Sequence, residues 1–143
     1  MIEQYNLNGK SLPSIPMPHD CVVKKMSINN QFIVFEFEDD ISYHDAIEFI
    51  KPEAKSLIIK YHLLNEWDFT FYKWNQPHRW LQKLFRLKGC YKEISAEELT
   101  HDFKDIEYLY HNIGYCSIIT QLFADSNIVI QADVDYVEFE WIF

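Results

Sequence analysis

His19, Asp20 and Cys21 are consecutive, the one place where this chain sets an imidazole, a carboxylate and a thiol side by side. A thiolate helped by a histidine is a nucleophile. On an extended strand, however, neighbours point to opposite faces, so His19 and Cys21 share a face and Asp20 diverges from both. A metal held there would need a spaced second pair of ligands to complete a tetrahedron, and none follows. The residue types favour a polar strand start with a buried cysteine.

The other histidines, His44, His62, His78, His101 and His111, are scattered with no H-x-H or H-x-x-x-H pair. No catalytic residue, metal or cofactor is assigned from these spacings. An enzyme built on His19, Cys21 or the dispersed histidines would need one histidine within about 3.2 Å of a nucleophile or carboxylate in a cleft. The glycines are Gly9, Gly89 and Gly114, no two of them within twenty residues. A phosphate-cradling loop needs clustered glycines so that backbone amides can approach the anion, so P-loop and Rossmann sites are excluded.

Charge is the stronger signal. The net charge is -9. Asp133, Asp135, Glu138 and Glu140 form an acidic end, with Glu138 and Glu140 on one strand face about 7 Å apart. Paired carboxylates can do glycosidic acid/base work. The plain reading is the wet side of a half-buried strand, and beyond that an acidic binding face. From Lys73 to Lys92 there are six bases (Lys73, Arg79, Lys83, Arg86, Lys88, Lys92) and no acid. Trp74, His78, Trp80 and Tyr91 interleave with them, as stacking surfaces do on single-stranded nucleic acid. Overall acidity and the lack of a ribonucleoprotein motif or reading helix oppose that partner. Cross-strand pairing of this basic stretch with the acidic strands would account for both charge blocks.

The elements that must position these groups are mostly strands. Length fits one domain over 1–143, and 48% apolar with 17% aromatic residues supplies a core without staples. The three cysteines, Cys21, Cys90 and Cys116, have no C-x-x-C spacing. Residues 1–18, with Pro13, Pro16 and Pro18, read as an arm over the core. The N-terminus has no apolar signal segment and no apolar run is long enough to span a membrane, so a cytoplasmic location is expected.

Cys21 to Glu38 reads as a hairpin turning at Asn29 and Asn30, with Ile33, Phe35 and Phe37 on the core face. Ser42 and Asp45 precede a short helix near 43–50, stopped by Pro52. Residues 56–64 form a strand, with Phe69 to Trp74 returning as its partner. Residues 78–80 read as loop, and 84–88 alternate apolar with basic. Ser95-Ala96-Glu97-Glu98 is a capping box. Leu99, Phe103, Ile106, Tyr110 and Ile113 then make one helical stripe, with Gly114 placed as a C-cap. This predicts a helix over 96–112, while the β-prone residues after Asp105 leave a strand open for its second half. Tyr115 to Phe123 and Ile128 to Ala132 are strands, and 133–135 is a turn or a bulge. In the last run Val137, Phe139, Trp141 and Phe143 alternate with Glu138, Glu140 and Ile142 and face the core.

The expected fold is α+β: an antiparallel, curved sheet or partial barrel with one longer helix and one short helix. The expected role is a binding domain that offers an acidic, aromatic surface to a basic protein. That charge logic is shared by acidic inhibitors such as bacterial immunity proteins, an analogy of charge alone. The alternatives are a small-molecule domain with an aromatic-lined pocket between helix 96–112 and the sheet, and an enzyme of unknown class. Membrane and nucleic-acid partners are not expected.

Overall fold

The computed structural model describes residues 1–101 and 105–143. Among these, nine strands form one antiparallel sheet: β1 Ile2–Asn6, β2 Cys21–Ile28, β3 Phe32–Phe37, β4 Ser56–Leu63, β5 Phe69–Asn75, β6 Cys90–Ile94, β7 Ile106–Gly114, β8 Ser117–Phe123 and β9 Asn127–Ile142. Three short helices join them: α1 Asp45–Glu48, α2 Arg79–Phe85 and α3 Ala96–His101. None is long and apolar enough to cross a membrane.

The sheet is curved into a ring by β9. Following neighbours from β9 leads to β4, β3, β2, β7 and β8, and then back to β9. This is possible because β9 runs for 16 residues and changes partners midway. Its first half pairs with β8 and β5, its second with β1 and β4. At the change, His62 faces Tyr136 and Leu63 faces Val134, so Asp135 is an extra, bulged residue. The core-facing set shifts with it, from Ile128, Ile130, Ala132 and Val134 to Val137, Phe139 and Trp141; Phe143, expected on the same face, is exposed because β9 ends at Ile142. The uncertain stretch 133–135 is therefore a bulge inside one long strand. Two branches leave the ring at β9: β1 on one edge, and the β5–β6 hairpin on the other.

The ring is filled with side chains. Phe35, Tyr61, Phe71, Tyr108, Phe139 and Trp141 are almost wholly buried, so these aromatic residues are core. The Tyr61 hydroxyl lies 2.7 Å from both the Tyr108 hydroxyl and Thr120 Oγ1. The Tyr108 hydroxyl lies 2.8 Å from His111 Nδ1. This chain of partners satisfies polar groups that would be costly to bury alone.

Several local expectations change. The capping box does start α3: the Glu98 amide donates to Ser95 Oγ at 3.1 Å. But α3 is described only to His101, residues 102–104 lie outside the described residues, and Ile106–Gly114 is a strand. The helical stripe was coincidental. Ile106 and Tyr108 face inward, Leu109 is a bulge, and His111 then takes the inward position. The bulge breaks the period of two and imitates a helical one. Gly114 closes the β7–β8 hairpin opposite Ser117 and caps no helix.

β5 does not pair with β4; the two are bound to successive segments of the same β9 edge. Arg79–Phe85 form α2, where the sequence reads as loop over 78–80 and as apolar/basic alternation over 84–88. Four alternating residues are too few to separate the periods, and Trp80/Leu84 and Leu81/Phe85 also fit i,i+4. The proline-containing arm begins as a strand, since β1 pairs with β9. The short helix near 43–50 is present, but its N-cap is His44 with no side-chain cap bond, so Ser42 has no such role.

Candidate binding surfaces

The four acidic residues of β9 have different surroundings. Asp133 is exposed before the bulge. Asp135, at the bulge, accepts a bond from Asn8 Nδ2 at 2.8 Å. Glu138 is paired with Lys60 Nζ at 2.9 Å, and its other oxygen lies 3.7 Å from His62 Nε2. His62 is stacked on Tyr136, with ring centroids 3.8 Å apart, and meets the edge of Phe32. Burial lowers the His62 pKa, against the pull of Glu138. Glu140 stands half-buried between Ile2 of β1 and Ile58 of β4. The strand thus brings Glu138 to a base and leaves Asp133 and Glu140 without ion pairs among the described residues.

The adjacent triplet is built differently from an ideal strand. Asp20 has φ 64°, before β2 begins, and this turn brings its carboxylate 2.9 Å from His19 Nδ1. The expected divergence of those two side chains is overturned. Cys21 is fully buried. Burial pushes its thiol up to about 12, with the charges of Glu38 and Asp20 adding to the effect. A thiol so held is neutral and a poor nucleophile. His44 Nε2 does lie 2.9 Å from Glu38 Oε1, which meets the distance criterion for an acid–base pair. The same Glu38 oxygen also accepts the Val22 amide at 2.9 Å, and the Cys21 thiol that feels the Glu38 charge is held protonated. Among the described residues no three His, Cys, Asp or Glu side chains converge on a metal position.

The space between α3 and the sheet is about 150 Å³, lined by Lys73, Ile94, Glu98, Leu99, Ile106 and Ile128 among others. That is below the few hundred Å³ of a typical small-molecule site.

Two surfaces stand out that the pattern of strands did not reveal. The first is an acidic lobe, residues 38–53, between β3 and β4. Ile41 and Ile47 are fully buried and anchor it; Asp39, Asp40, Asp45, Glu48 and Glu53 are exposed, while Glu38 is half-buried against His44. It carries Glu38, Asp39, Asp40, Asp45, Glu48 and Glu53 against one base, Lys51. Lys51 is engaged elsewhere, 2.8 Å from Glu3 Oε1 and over the Trp141 ring. Glu3 also accepts bonds from Trp141 Nε1 at 2.8 Å and the Tyr5 hydroxyl at 2.9 Å. The lobe is thereby tied to β1 and β9. From it Phe49 projects 88% exposed, with Tyr43 64% and Ile50 43% exposed.

The second is a basic flap, β5–α2–β6. Here Pro77 and His78 precede the helix, and Arg86, at φ 52°, ends it. At Gly89 the Trp74 ring and the Gln76 side chain occupy the space that a Cβ would take, so a larger residue there must push those side chains aside. No residue of α2 is buried. Trp80, Leu84 and Phe85 are 59%, 67% and 61% exposed. Their angular positions on the helix span one apolar face, with Arg79 and Lys83 on the other.

No family model matches the chain, and neither does any curated protein or solved structure.

The expected pairing of basic and acidic strands is not found. β6 pairs only with β5, and the other neighbour of β5 is Ile128–Ala132, ahead of the acidic residues of β9. Lys73 and Lys92 stand directly opposite one another. Of the six bases only Lys73 has an ion pair among the described residues, with Asp125 at 3.1 Å. Apart from Lys73 the basic block has no ion pair among the described residues, and in the acidic block Glu138 is taken up by Lys60. The lobe was readable as the acid-rich run 38–40 followed by Asp45 and Glu48; the flap was readable as the base-rich part of the longest acid-free stretch, 69–92.

Proposed function

We propose that this chain is a non-enzymatic protein-binding module that holds a basic protein on its acidic, aromatic lobe. The observation that carries this reading is Phe49, 88% exposed among six carboxylates. An aromatic side chain with a charged rim is the usual composition of an interface anchor. The carboxylates supply long-range attraction and partner choice, and the ring supplies area to bury. Asp133 and Glu140 extend the same field along β9, while Glu138 is already balanced by Lys60. The electrostatic logic is that of an acidic neutralising protein, with the lobe as the contact.

The test is direct. Immobilised chain is offered extract from its own source, bound proteins are released by salt, and each candidate is purified and rebound. A basic partner should bind, and binding should weaken about tenfold or more in Phe49→Ala. Retention of no basic protein at low salt, or a complex indifferent to Phe49→Ala and to salt, refutes the proposal.

A further inference from the structure

The lobe and the flap are complementary to each other. Between Lys73 and Lys92 the chain carries six positive charges and no negative one; subtracting them from the net -9 leaves -15 on the rest. The lobe holds six carboxylates; Asp39 pairs with Lys24 and Glu38 with His44, while Asp40, Asp45, Glu48 and Glu53 have no ion pair among the described residues, and the lobe's single lysine is bound to Glu3. Each surface also exposes large apolar side chains: Tyr43, Phe49 and Ile50 on one, Trp80, Leu84, Phe85 and Leu87 on the other. Within one molecule they do not meet, since no hydrogen bond or ion pair joins them among the described residues. The lobe lies between β3 and β4, whereas the flap branches from the far end of β9.

We infer that the β5–β6 flap of one chain docks on the acidic lobe of a second copy. The inference rests on the reading of the lobe as a protein-binding surface, and names one occupant for it. Trp80, Leu84 and Phe85 pack against Phe49 and Tyr43, while Lys83, Arg86 and Lys88 meet Asp45, Glu48 and Glu53. Two copies lying antiparallel satisfy both contacts at once, flap to lobe and lobe to flap, in a closed two-fold pair. An anionic membrane is the other surface that a basic apolar helix fits. It is disfavoured because docking there would bring the fifteen residual negative charges of the body toward anionic lipid. A consequence is that a basic protein partner must displace the flap, so self-association and partner binding compete.

Sedimentation velocity of the full chain, over a concentration series, reads the association. The wild-type protein should form dimers at low salt and dissociate at about 0.5 M salt, where charges are screened beyond a few Å. Lys83→Glu with Lys88→Glu on the flap should weaken association about tenfold or more, as should Glu48→Lys with Glu53→Lys on the lobe. These positions are exposed, and circular dichroism checks that each variant folds. The decisive arm is the mixture. At the three contact positions named on each surface, the flap variant then carries net -1 on the flap and -3 on the lobe, and the lobe variant +3 and +1, so an equimolar mixture should form a one-to-one heterodimer. A chain that stays monomeric at every concentration overturns the inference. So do reversed variants that dimerise like wild type, and a mixture that fails to associate. Flap-dependent binding to phosphatidylserine–phosphatidylcholine vesicles by a chain that is monomeric in solution also overturns it, assigning the flap to lipid. A monomeric chain that still holds a basic protein through Phe49 removes this inference alone and leaves the lobe's proposed role intact.

Discussion

The acidic lobe and the basic flap are both insertions between neighbouring strands, and both end in exposed aromatic side chains, yet they are held in opposite ways. The lobe is anchored from below by Ile41, Ile47 and Ala54, all fully buried, and from the side by the Glu3–Lys51 pair. The flap sends no α2 residue into the core and is secured by β5 on β9, by the Trp74–Tyr91 ring contact and by local bonds such as Gln82 Nε2 to the Pro77 carbonyl. Exposed apolar area therefore does not report one physical situation. In the lobe, Phe49 is presented by a rigid base. In the flap, a whole helix face lacks an internal partner.

The strongest test of this contrast is a core truncation beneath the lobe. Ile47→Ala removes a fully buried side chain and should cost about 2–4 kcal/mol of stability by urea denaturation. A change below about 0.5 kcal/mol, the range of ordinary surface substitutions, would mean that the lobe is no better anchored than the flap.

Acid should discriminate almost as strongly between the ring, with the lobe it carries, and the flap. Burial lowers the His111 pKa from 6.5 to about 4. The unfolded chain takes up that proton first as pH falls, so stability is intact above about 6.5 and is lost progressively down to about 4, where the folded state also protonates. The loss is on the order of 3 kcal/mol for a shift of that size. His111→Gln keeps a polar partner for Tyr108 without the titration, and should flatten the profile over that window. An unchanged profile in His111→Gln would point to His62, whose pKa burial also lowers, or to carboxylates instead.

A smaller effect is expected at the lobe's side anchor. Burial raises the Glu3 pKa, but bonds from Lys51, Trp141 and Tyr5 outweigh it and leave the net shift downward. The carboxylate's contribution is thus present above its unfolded pKa and lost as pH falls through the folded one. Glu3→Gln should cost about 1–2 kcal/mol and should speed amide exchange at Lys51. Unaltered exchange there would show that the buried isoleucines alone fix the lobe.

How much of this was legible in the chain depends on whether side chains kept a strict period. Phe139 and Trp141 alternate without interruption, so their burial followed from spacing. So did the hairpin at Asn29, whose side-chain oxygen accepts the Gln31 and Phe32 amides at 2.8 Å. Bulges at Lys24, Leu109 and Asp135 each shift the alternation by one residue, and at Leu109 that shift produced a false helix. The partner change within β9 could not be read at all, because pairing between distant strands leaves no local trace. The same holds for the binding surfaces. Acidic side chains on β9 were conspicuous by alternation, but whether a carboxylate is free depends on Lys60 and Asn8, brought from elsewhere by the fold.

The smallest expected change in stability tests the other side of the comparison. Leu84 is 67% exposed in a helix that buries nothing, so Leu84→Ala removes area already in water and also introduces the better helix former. Its effect on unfolding should stay within about 0.5 kcal/mol. Limited trypsin digestion gives the kinetic counterpart: Arg79 and Lys83 sit on an element with no buried side chain and the exposed Arg86 and Lys88 follow it, whereas Lys51 is held by Glu3. Cleavage of a segment needs it to open locally, and opening is easiest where few apolar groups are buried. The flap should therefore be cut first, with the lobe surviving in the large fragment. Early cleavage at Lys51, or a Leu84→Ala cost near that of Ile47→Ala, would reverse the comparison and show that the flap is packed against the body and the lobe is the loose end.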